Sequence, residues 1–138
     1  MSYLLDTNAV IGLVTNRPPT IRERLRQISP TTLPLAISSI VLFELWYGVA
    51  RSRHRAENAE RLRGFMSGHV VVVGFEEEDA VIAGDLRDGL ERAGTPIGPY
   101  DLLIAAQALR SGSTLVTANV REFRRVPGLA VEDWTVLE

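Results

Sequence analysis

The sequence predicts an α/β domain built on a central, mostly parallel β-sheet of about five strands. Short apolar runs of three to seven residues alternate along the chain with longer stretches whose apolar residues repeat every three or four positions. This alternation is typical of parallel strands joined by crossover helices. With 138 residues, 46% of them hydrophobic, the chain is expected to form a single domain over residues 1–138 with a substantial core.

Five short apolar runs are the predicted strands. Each is short enough, and apolar enough, for a buried position in a sheet that helices cover. The runs are Tyr3–Leu5, Leu33–Ser38, His69–Phe75, Thr114–Thr117 and Leu129–Asp133.

Four segments between these runs have helical patterns. A short helix is expected at Ile21–Ile28, framed by prolines. The stretch from Ser38 to Arg53 starts with serines that can cap a helix and is apolar on nearly every side, which predicts a mostly buried helix. The stretch from Glu76 to Gly94 has apolar residues at helical spacing, and its charges are expected to form a solvated outer face. The last helix is expected to open at Asp101 and close near Gly112.

The composition excludes several kinds of chemistry. The chain has no cysteine, which excludes disulfides, a thiol nucleophile and a cysteine zinc site. Its 15 basic residues are all arginine, so a lysine Schiff base and a Walker-type phosphate loop are excluded as well. The net charge of -2 predicts no strongly basic coat. No apolar run approaches a membrane span and no secretory signal is recognisable, so we expect a cytoplasmic protein.

Acidic and small polar side chains collect where the predicted strands end. The carboxyl ends of parallel strands lie at one edge of a sheet, and ligands bind there. Three different elements each contribute one acid to this edge, and the fourth predicted strand contributes polar residues. The residues are Asp6, Thr7, Glu44, Asp101, Thr117 and Asn119.

Each of these residues also has a structural explanation, and the sequence leaves it open. Asp6 and Asp101 are of the type that caps helix N-termini. Thr117 and Asn119 could stabilise a turn. Glu44 is harder to explain in this way, because a carboxylate among large apolar side chains needs a partner.

Three carboxylates without any soft ligand indicate a hard divalent cation. Mg²⁺ and Mn²⁺ prefer carboxylate and water oxygens, and such an ion can activate water and stabilise charge on a phosphodiester. A nuclease that uses paired histidines as acid and base is not supported. His54 lies in an arginine-rich stretch and His69 starts a strand, so both are expected to be structural or solvated.

Four segments of the chain, in order, resemble the PIN-domain ribonucleases, in particular the VapC-type toxins of bacterial toxin–antitoxin pairs. They are "LLDTN", "SSIVLFELWYGV", "GTPIGPYDLLIAAQAL" and "LVTANVREFRRVPGLAVEDW". The resemblance implies a three-layer α/β/α sandwich and cleavage of RNA by a Mg²⁺- or Mn²⁺-dependent endonuclease. It also implies a homodimer and a small antitoxin protein as inhibitor.

The resemblance assigns roles to the residues at the sheet edge. It implies that Asp6, Glu44 and Asp101 are catalytic acids that bind the metal, and that Thr7 and Thr117 support them. Asn119 occupies the place where many family members carry a fourth acid. We therefore count it with the catalytic residues, although it brings one negative charge fewer and makes a second metal ion doubtful.

Arginines near these acids are candidates for RNA binding, because guanidinium groups suit phosphate contacts. The first group could equally be a solvated helix face, paired with Glu57 and Glu60. The candidates are Arg51, Arg53, Arg55, Arg121 and Arg124, with Arg61, Arg63 and Arg125 nearby.

Two other functions compete with this interpretation. Aspartyl-phosphate phosphatases and response-regulator receivers also place an aspartate after the first strand, but their patterns include a lysine that this chain lacks. The second is a catalytically weak or inactive PIN-fold protein that only binds RNA or a protein partner. Asn119 is the feature that favours it.

Overall fold

The computed structural model describes residues 2–28 and 34–136 and contains one five-stranded sheet. Every pair of neighbouring strands in it is parallel. The strands are β1 (Tyr3–Leu5), β2 (Leu35–Ser38), β3 (Val70–Val73), β4 (Thr114–Val116) and β5 (Val131–Glu132). Their order in the sheet is β3-β2-β1-β4-β5.

Helices connect the strands and make the fold a three-layer α/β/α sandwich, which confirms the predicted fold class. None of the helices in the described part of the chain is long and apolar enough to cross a membrane. The helices are α1 (Thr7–Thr15), α2 (Thr20–Gln27), α3 (Ser39–Arg51), α4 (Arg55–Met66), α5 (Glu77–Arg92), α6 (Pro99–Ser111) and α7 (Val120–Phe123).

The strand order reverses between β1 and β4. Strands β2 and β3 extend the sheet on one side of β1, whereas β4 and β5 extend it on the other. Such a reversal leaves a crevice at the carboxyl ends of the two strands, where open α/β sheets bind their ligands. The backbone N–H of Asp6 donates to the carbonyl of Val116 at 3.0 Å, so the segments that follow β1 and β4 begin side by side.

The core lies around the central strands. Leu5, Ile37 and Leu115, one from each of β1, β2 and β4, are fully buried. On the helical side, Ala105 and Ala108 of α6 are also fully buried. A rigid, packed base of this kind holds the residues at the strand ends in fixed positions.

The strand predictions are correct in position. Strand β1 has its predicted bounds, and the other four strands are shorter than predicted. The third strand ends at Val73 instead of Phe75, and the fifth covers only Val131–Glu132. Leu33, the predicted start of the second strand, lies outside the described residues.

The prediction that α6 opens at Asp101 was wrong. The helix begins at Pro99, because proline fits a first helical position, where no N–H partner is needed.

The prediction that α3 is mostly buried was also wrong. Only Val41 and Leu45 of this helix are buried, whereas Phe43 and Tyr47 are 54% and 57% exposed. The helix has apolar residues on nearly every side, but within the described residues the rest of the fold covers only part of its surface. Helices α1, α4 and α7 were not among the predicted helices, although Asp6 was considered as a possible helix cap before α1. Helix α4 buries only Leu62 and α7 has four residues, so neither has a clear apolar pattern.

One charge of α5 contradicts the expected solvated face. Asp79 is completely buried and forms an ion pair with Arg110 of α6. Its carboxylate also accepts the backbone N–H of Glu76 at 2.7 Å, in a capping box at the start of α5. The charge is tolerated in the interior because hydrogen-bond donors surround it.

Candidate active site at the strand reversal

Asp6 caps a helix and also lies in the crevice. Its Oδ1 accepts the backbone N–H of Ala9 at 2.8 Å at the start of α1, and the side chain is buried. Burial raises the pKa of Asp6, and the nearby Glu44 raises it further, against the opposing hydrogen bonds from Thr117 and Ala9. The structural and the functional explanation of Asp6 are therefore compatible.

Two threonines hold the first two acids. The Thr117 side chain is buried after β4 and lies close enough to Asp6 to lower the pKa of that carboxyl. The Thr117 oxygen accepts the backbone N–H of Asn119 at 2.9 Å, which fixes the hydroxyl. Thr7 at the start of α1 donates its hydroxyl to Oε1 of Glu44 at 2.9 Å. A neutral hydroxyl orients the Glu44 carboxylate without neutralising its charge.

Among the acids of the site, Asp101 has the most strongly shifted pKa. Burial raises its pKa to about 7, together with the charges of Glu122, Asp6 and Glu44 and a hydrogen bond with Glu122. The pKa of Glu122 is instead held low, first by the backbone N–H of Gly98, which donates to its Oε1 at 2.8 Å. The pair of carboxyl groups therefore binds its first proton on Asp101 and not on Glu122.

Gly98 shows how closely these two carboxyl groups meet. A Cβ atom on Gly98 would lie 3.4 Å from Oδ2 of Asp101 and 3.7 Å from Oε1 of Glu122. The loop before α6 thus presents a bare backbone N–H to the acids. A Cβ at this position would make van der Waals contact with both carboxyl groups.

Glu122 is the residue that the sequence analysis missed. It lies on α7, three residues after Asn119, and its Oε2 accepts the Asn119 amide at 2.5 Å. The exposed side chain of Asn119 thus contacts the fourth acid of the site. An asparagine followed three residues later by a glutamate is typical of a helix start, and this spacing was the available signal.

The donor set suits a hard divalent cation in its chemistry. The site contains four carboxyl groups, and the charges of their neighbours raise the pKa of Asp6 and of Asp101. All of the atoms that could bind a metal are oxygen. Within residues 2–28 and 34–136, no three acids are already close enough to enclose one ion. In this structure the carboxylates of Asp6, Glu44 and Glu122 are instead held by hydrogen bonds to the protein. Both histidines, His54 and His69, are exposed and precede α4 and β3.

The arginines have mixed environments. Arg61 pairs with Glu57 one helical turn away at 2.9 Å, which supports the solvated-face explanation for that residue. Arg51 and Arg63 lie over aromatic rings, at 5.5 Å from Tyr47 and 5.3 Å from Trp46. The other RNA-binding candidates, Arg53, Arg55, Arg121 and Arg124, are exposed.

Comparison with known proteins gives consistent results. Residues 3–129 match the PIN domain family. The chain is 41% identical over 134 residues to a tRNA(fMet)-specific endonuclease VapC from Salmonella typhimurium, which covers 97% of this chain and 98% of that protein. It is 39% identical over 134 residues to ribonuclease VapC2 from Rickettsia felis, with 97% and 98% covered.

Solved structures with a similar fold belong to the same group. One is the VapBC2 complex from Rickettsia felis bound to a promoter DNA fragment, with a TM-score of 0.89 and 38% identity over 97% of this chain and 99% of that one. Another is DNA-bound VapBC from Salmonella typhimurium, with a TM-score of 0.87 and 40% identity over 97% and 98% of the two chains.

Proposed function

Because the chain belongs to the PIN-domain family, we propose that it is a metal-dependent endoribonuclease and the toxin of a toxin–antitoxin pair. The observation that carries the proposal is the group of four carboxylates beside the strand reversal, in a chain whose relatives are named as RNA endonucleases. They lie after β1 (Asp6), near the starts of α3 (Glu44) and α6 (Asp101), and on α7 (Glu122). A phosphodiester approaching this acidic crevice would be repelled unless a cation were present.

The proposed metal ligands are Asp6, Glu44 and Asp101, with Glu122 as the fourth acid. A bound Mg²⁺ or Mn²⁺ would supply activation of water and stabilisation of charge on the phosphate. Helix α1, through the N–H of Ala9, fixes Asp6 and limits its rotation. With a pKa of about 7, Asp101 carries a proton in a large share of the molecules at neutral pH, and a bound cation would displace it.

Asn119 is proposed to act by positioning Glu122. The Asn119 amide and the Gly98 N–H each donate to one oxygen of the Glu122 carboxylate. Asn119 was also the reason to consider a catalytically weak or inactive PIN-fold protein. Glu122, three residues after Asn119 on α7, supplies a fourth negative charge. Its presence favours a catalytically active nuclease over an inactive PIN-fold protein.

The proposed partners are an RNA substrate and a small antitoxin. An apolar groove between α1, α3 and α4 is lined by Ile11, Val14, Leu45 and Leu62, and Glu44 also lines it. We propose that an antitoxin segment docks there and places a basic side chain among the acids. Bound antitoxin is then expected to prevent Mg²⁺ binding. A homodimer and a cytoplasmic location belong to the same proposal.

The direct test is cleavage of RNA by the purified protein without antitoxin. Initiator tRNA is the first substrate to try, with an elongator tRNA as control, in Mg²⁺, in Mn²⁺ and in EDTA. We expect discrete fragments in the presence of either metal and intact RNA in EDTA. Binding of RNA without cleavage under every metal condition would instead favour the inactive alternative.

Mg²⁺ binding is expected to release protons near neutral pH. Asp101 has a pKa of about 7 without metal, so a large share of the protein carries a proton there that the ion must displace. The affinity should therefore rise between about pH 6 and about pH 8. Titration calorimetry in two buffers of different ionisation enthalpy measures the released protons. Equal heats in both buffers, with a constant affinity, would contradict the assignment of Asp101.

Asn119→Asp is expected to tighten divalent-metal binding and to lower the Tm of the metal-free protein. The change replaces a hydrogen bond to Glu122 by a second carboxylate facing it. The added charge favours a hard cation, so the rise in Tm on adding Mg²⁺ should grow. Asn119→Ala is the matched control, because it loses the hydrogen bond without adding charge. If the aspartate variant bound Mg²⁺ no better than the wild type, Asn119 would not belong to the site.

A further inference from the structure

An exposed row of aromatic side chains lies beside the acids and has no role in the function described so far. It comprises Tyr100, Phe43 and Tyr47, which we call the aromatic strip. The side chains are 47%, 54% and 57% exposed, respectively. Large aromatic residues normally bury most of their surface, so a row of three exposed rings indicates a surface that binds something.

The strip begins at the acids themselves. Phe43 directly precedes Glu44 on α3, and Tyr100 directly precedes Asp101 in the first turn of α6. The two rings contact each other edge to face, with centroids 5.9 Å apart and an interplanar angle of 70°. This contact joins the two helices that carry Glu44 and Asp101.

The strip continues along α3 and ends at a cation. Tyr47 follows Phe43 by one helical turn, and Arg51 follows Tyr47 by another, so the three side chains share one face of the helix. The Arg51 guanidinium lies 5.5 Å from the centre of the Tyr47 ring. Aromatic faces followed by arginine are the combination that binds single-stranded nucleic acid, by base stacking and phosphate contact.

We propose that the aromatic strip stacks the unpaired bases of RNA next to the phosphodiester that is cleaved. The inference rests on the proposed ribonuclease function, which requires the phosphodiester to lie at the acids. The neighbouring nucleotides then pass over Phe43 and Tyr100. Bases inside a duplex cannot reach such rings, so the bases that stack on the strip are unpaired.

The observations favour RNA over a second copy of this chain as the occupant. Three half-exposed rings present roughly 300 Å² in total. A standard stable protein interface buries about 800 Å² on each partner, which is much more. The strip also ends at Arg51 and begins at the acids, as expected for a path that guides a polyanion to a metal site.

The first test compares aromatic and non-aromatic replacements in cleavage assays. Phe43→Leu and Tyr100→Leu keep apolar bulk but cannot stack, and each is expected to raise the KM for a single-stranded RNA by about fivefold or more. Phe43→Trp is expected to keep the wild-type KM. Val81→Ala, at an apolar residue of α5 that is 64% exposed, is the control and should change nothing. A wild-type KM in both leucine variants would overturn the proposal.

A second test asks whether the contact is made with a base. An RNA that lacks the base beside the cleaved bond should raise the KM of the wild type as much as Phe43→Leu or Tyr100→Leu does. In at least one of the two leucine variants, the KM for this RNA should be no higher than that of the wild type for the same RNA. If removal of the base and the leucine substitution raised the KM additively in both variants, neither ring would stack on that base.

A third measurement separates failure of the strip from failure of the ribonuclease function. On an Asp101→Asn background, which prevents turnover, a series of single-stranded RNAs carries 2-aminopurine at successive positions. The fluorescence of at least one of them should be quenched on binding, and Phe43→Leu or Tyr100→Leu should remove the quenching. This result can be obtained even if the wild type cleaves nothing. If the leucine variants instead turn a dimer into a monomer in light scattering and bind RNA normally at high protein concentration, the strip is an interface between copies and the proposal is wrong.

Discussion

Asp6→Asn and Asp101→Asn are each expected to abolish RNA cleavage while leaving the fold intact. An asparagine keeps the shape of the side chain but removes the charge that a divalent cation requires. Loss of one group that acts on the developing charge of a transition state reduces kcat by about 100-fold or more. The measurement is cleavage of initiator tRNA in Mg²⁺, with the melting temperature of each metal-free variant as a check on folding.

The two variants should differ from ordinary loss-of-function variants in their stability. Asparagine caps helices as well as aspartate does, so Asp6→Asn keeps the hydrogen bond from Ala9. Asp101→Asn removes a carboxyl group whose burial and whose neighbour Glu122 raise its pKa to about 7. Its metal-free Tm near pH 8 should therefore equal or exceed that of the wild type.

An exposed aspartate provides the control for this experiment. Asp85 lies on the exposed side of α5, and Asp85→Asn makes the same chemical change away from the crevice. It should leave both cleavage and stability unchanged. Wild-type cleavage rates in either Asp6→Asn or Asp101→Asn would overturn the assignment of the metal ligands.

The largest expected loss of stability comes from Asp79→Ala. Burial alone would raise the pKa of Asp79, but the hydrogen bonds from Arg110 and from the Glu76 N–H hold it below its usual value. Removing the carboxylate leaves the Glu76 N–H without its acceptor and Arg110 without its partner. The free energy of unfolding should fall by about 2 kcal/mol, below the usual cost of breaking a buried pair, because Arg110 can still reach water.

Glu78 offers a matched control on the same helix. Its side chain is 80% exposed, and its Oε2 lies 4.0 Å from Nη1 of Arg110. Because exposed ion pairs contribute little, Glu78→Ala should change the free energy of unfolding by less than about 0.5 kcal/mol. Urea unfolding of the two variants measures both values. Equal destabilisation would mean that the buried contact of Asp79 does not join α5 to α6 as described.

The sequence by itself determined the class of the fold and three of the four acids. Short apolar runs between helical patterns imply a parallel sheet, and a parallel sheet brings the ends of all its strands to one edge. Asp6 follows β1 directly, and Glu44 and Asp101 lie near the starts of α3 and α6. Their convergence could therefore be expected from their order along the chain, without knowledge of any contact.

The tertiary structure alone decided the contacts between residues that are distant in sequence. Glu122 joins the acids because α7 meets the loop at Gly98, 24 residues earlier. Asp79 is buried because α5 packs on α6, where Arg110 lies 31 residues away. Apolar periodicity predicts which face of a helix or strand is buried. It does not predict which other helix or strand packs against that face. The pairing of Asp79, the position of Glu122 and the exposure of Phe43 therefore depend on how the helices pack.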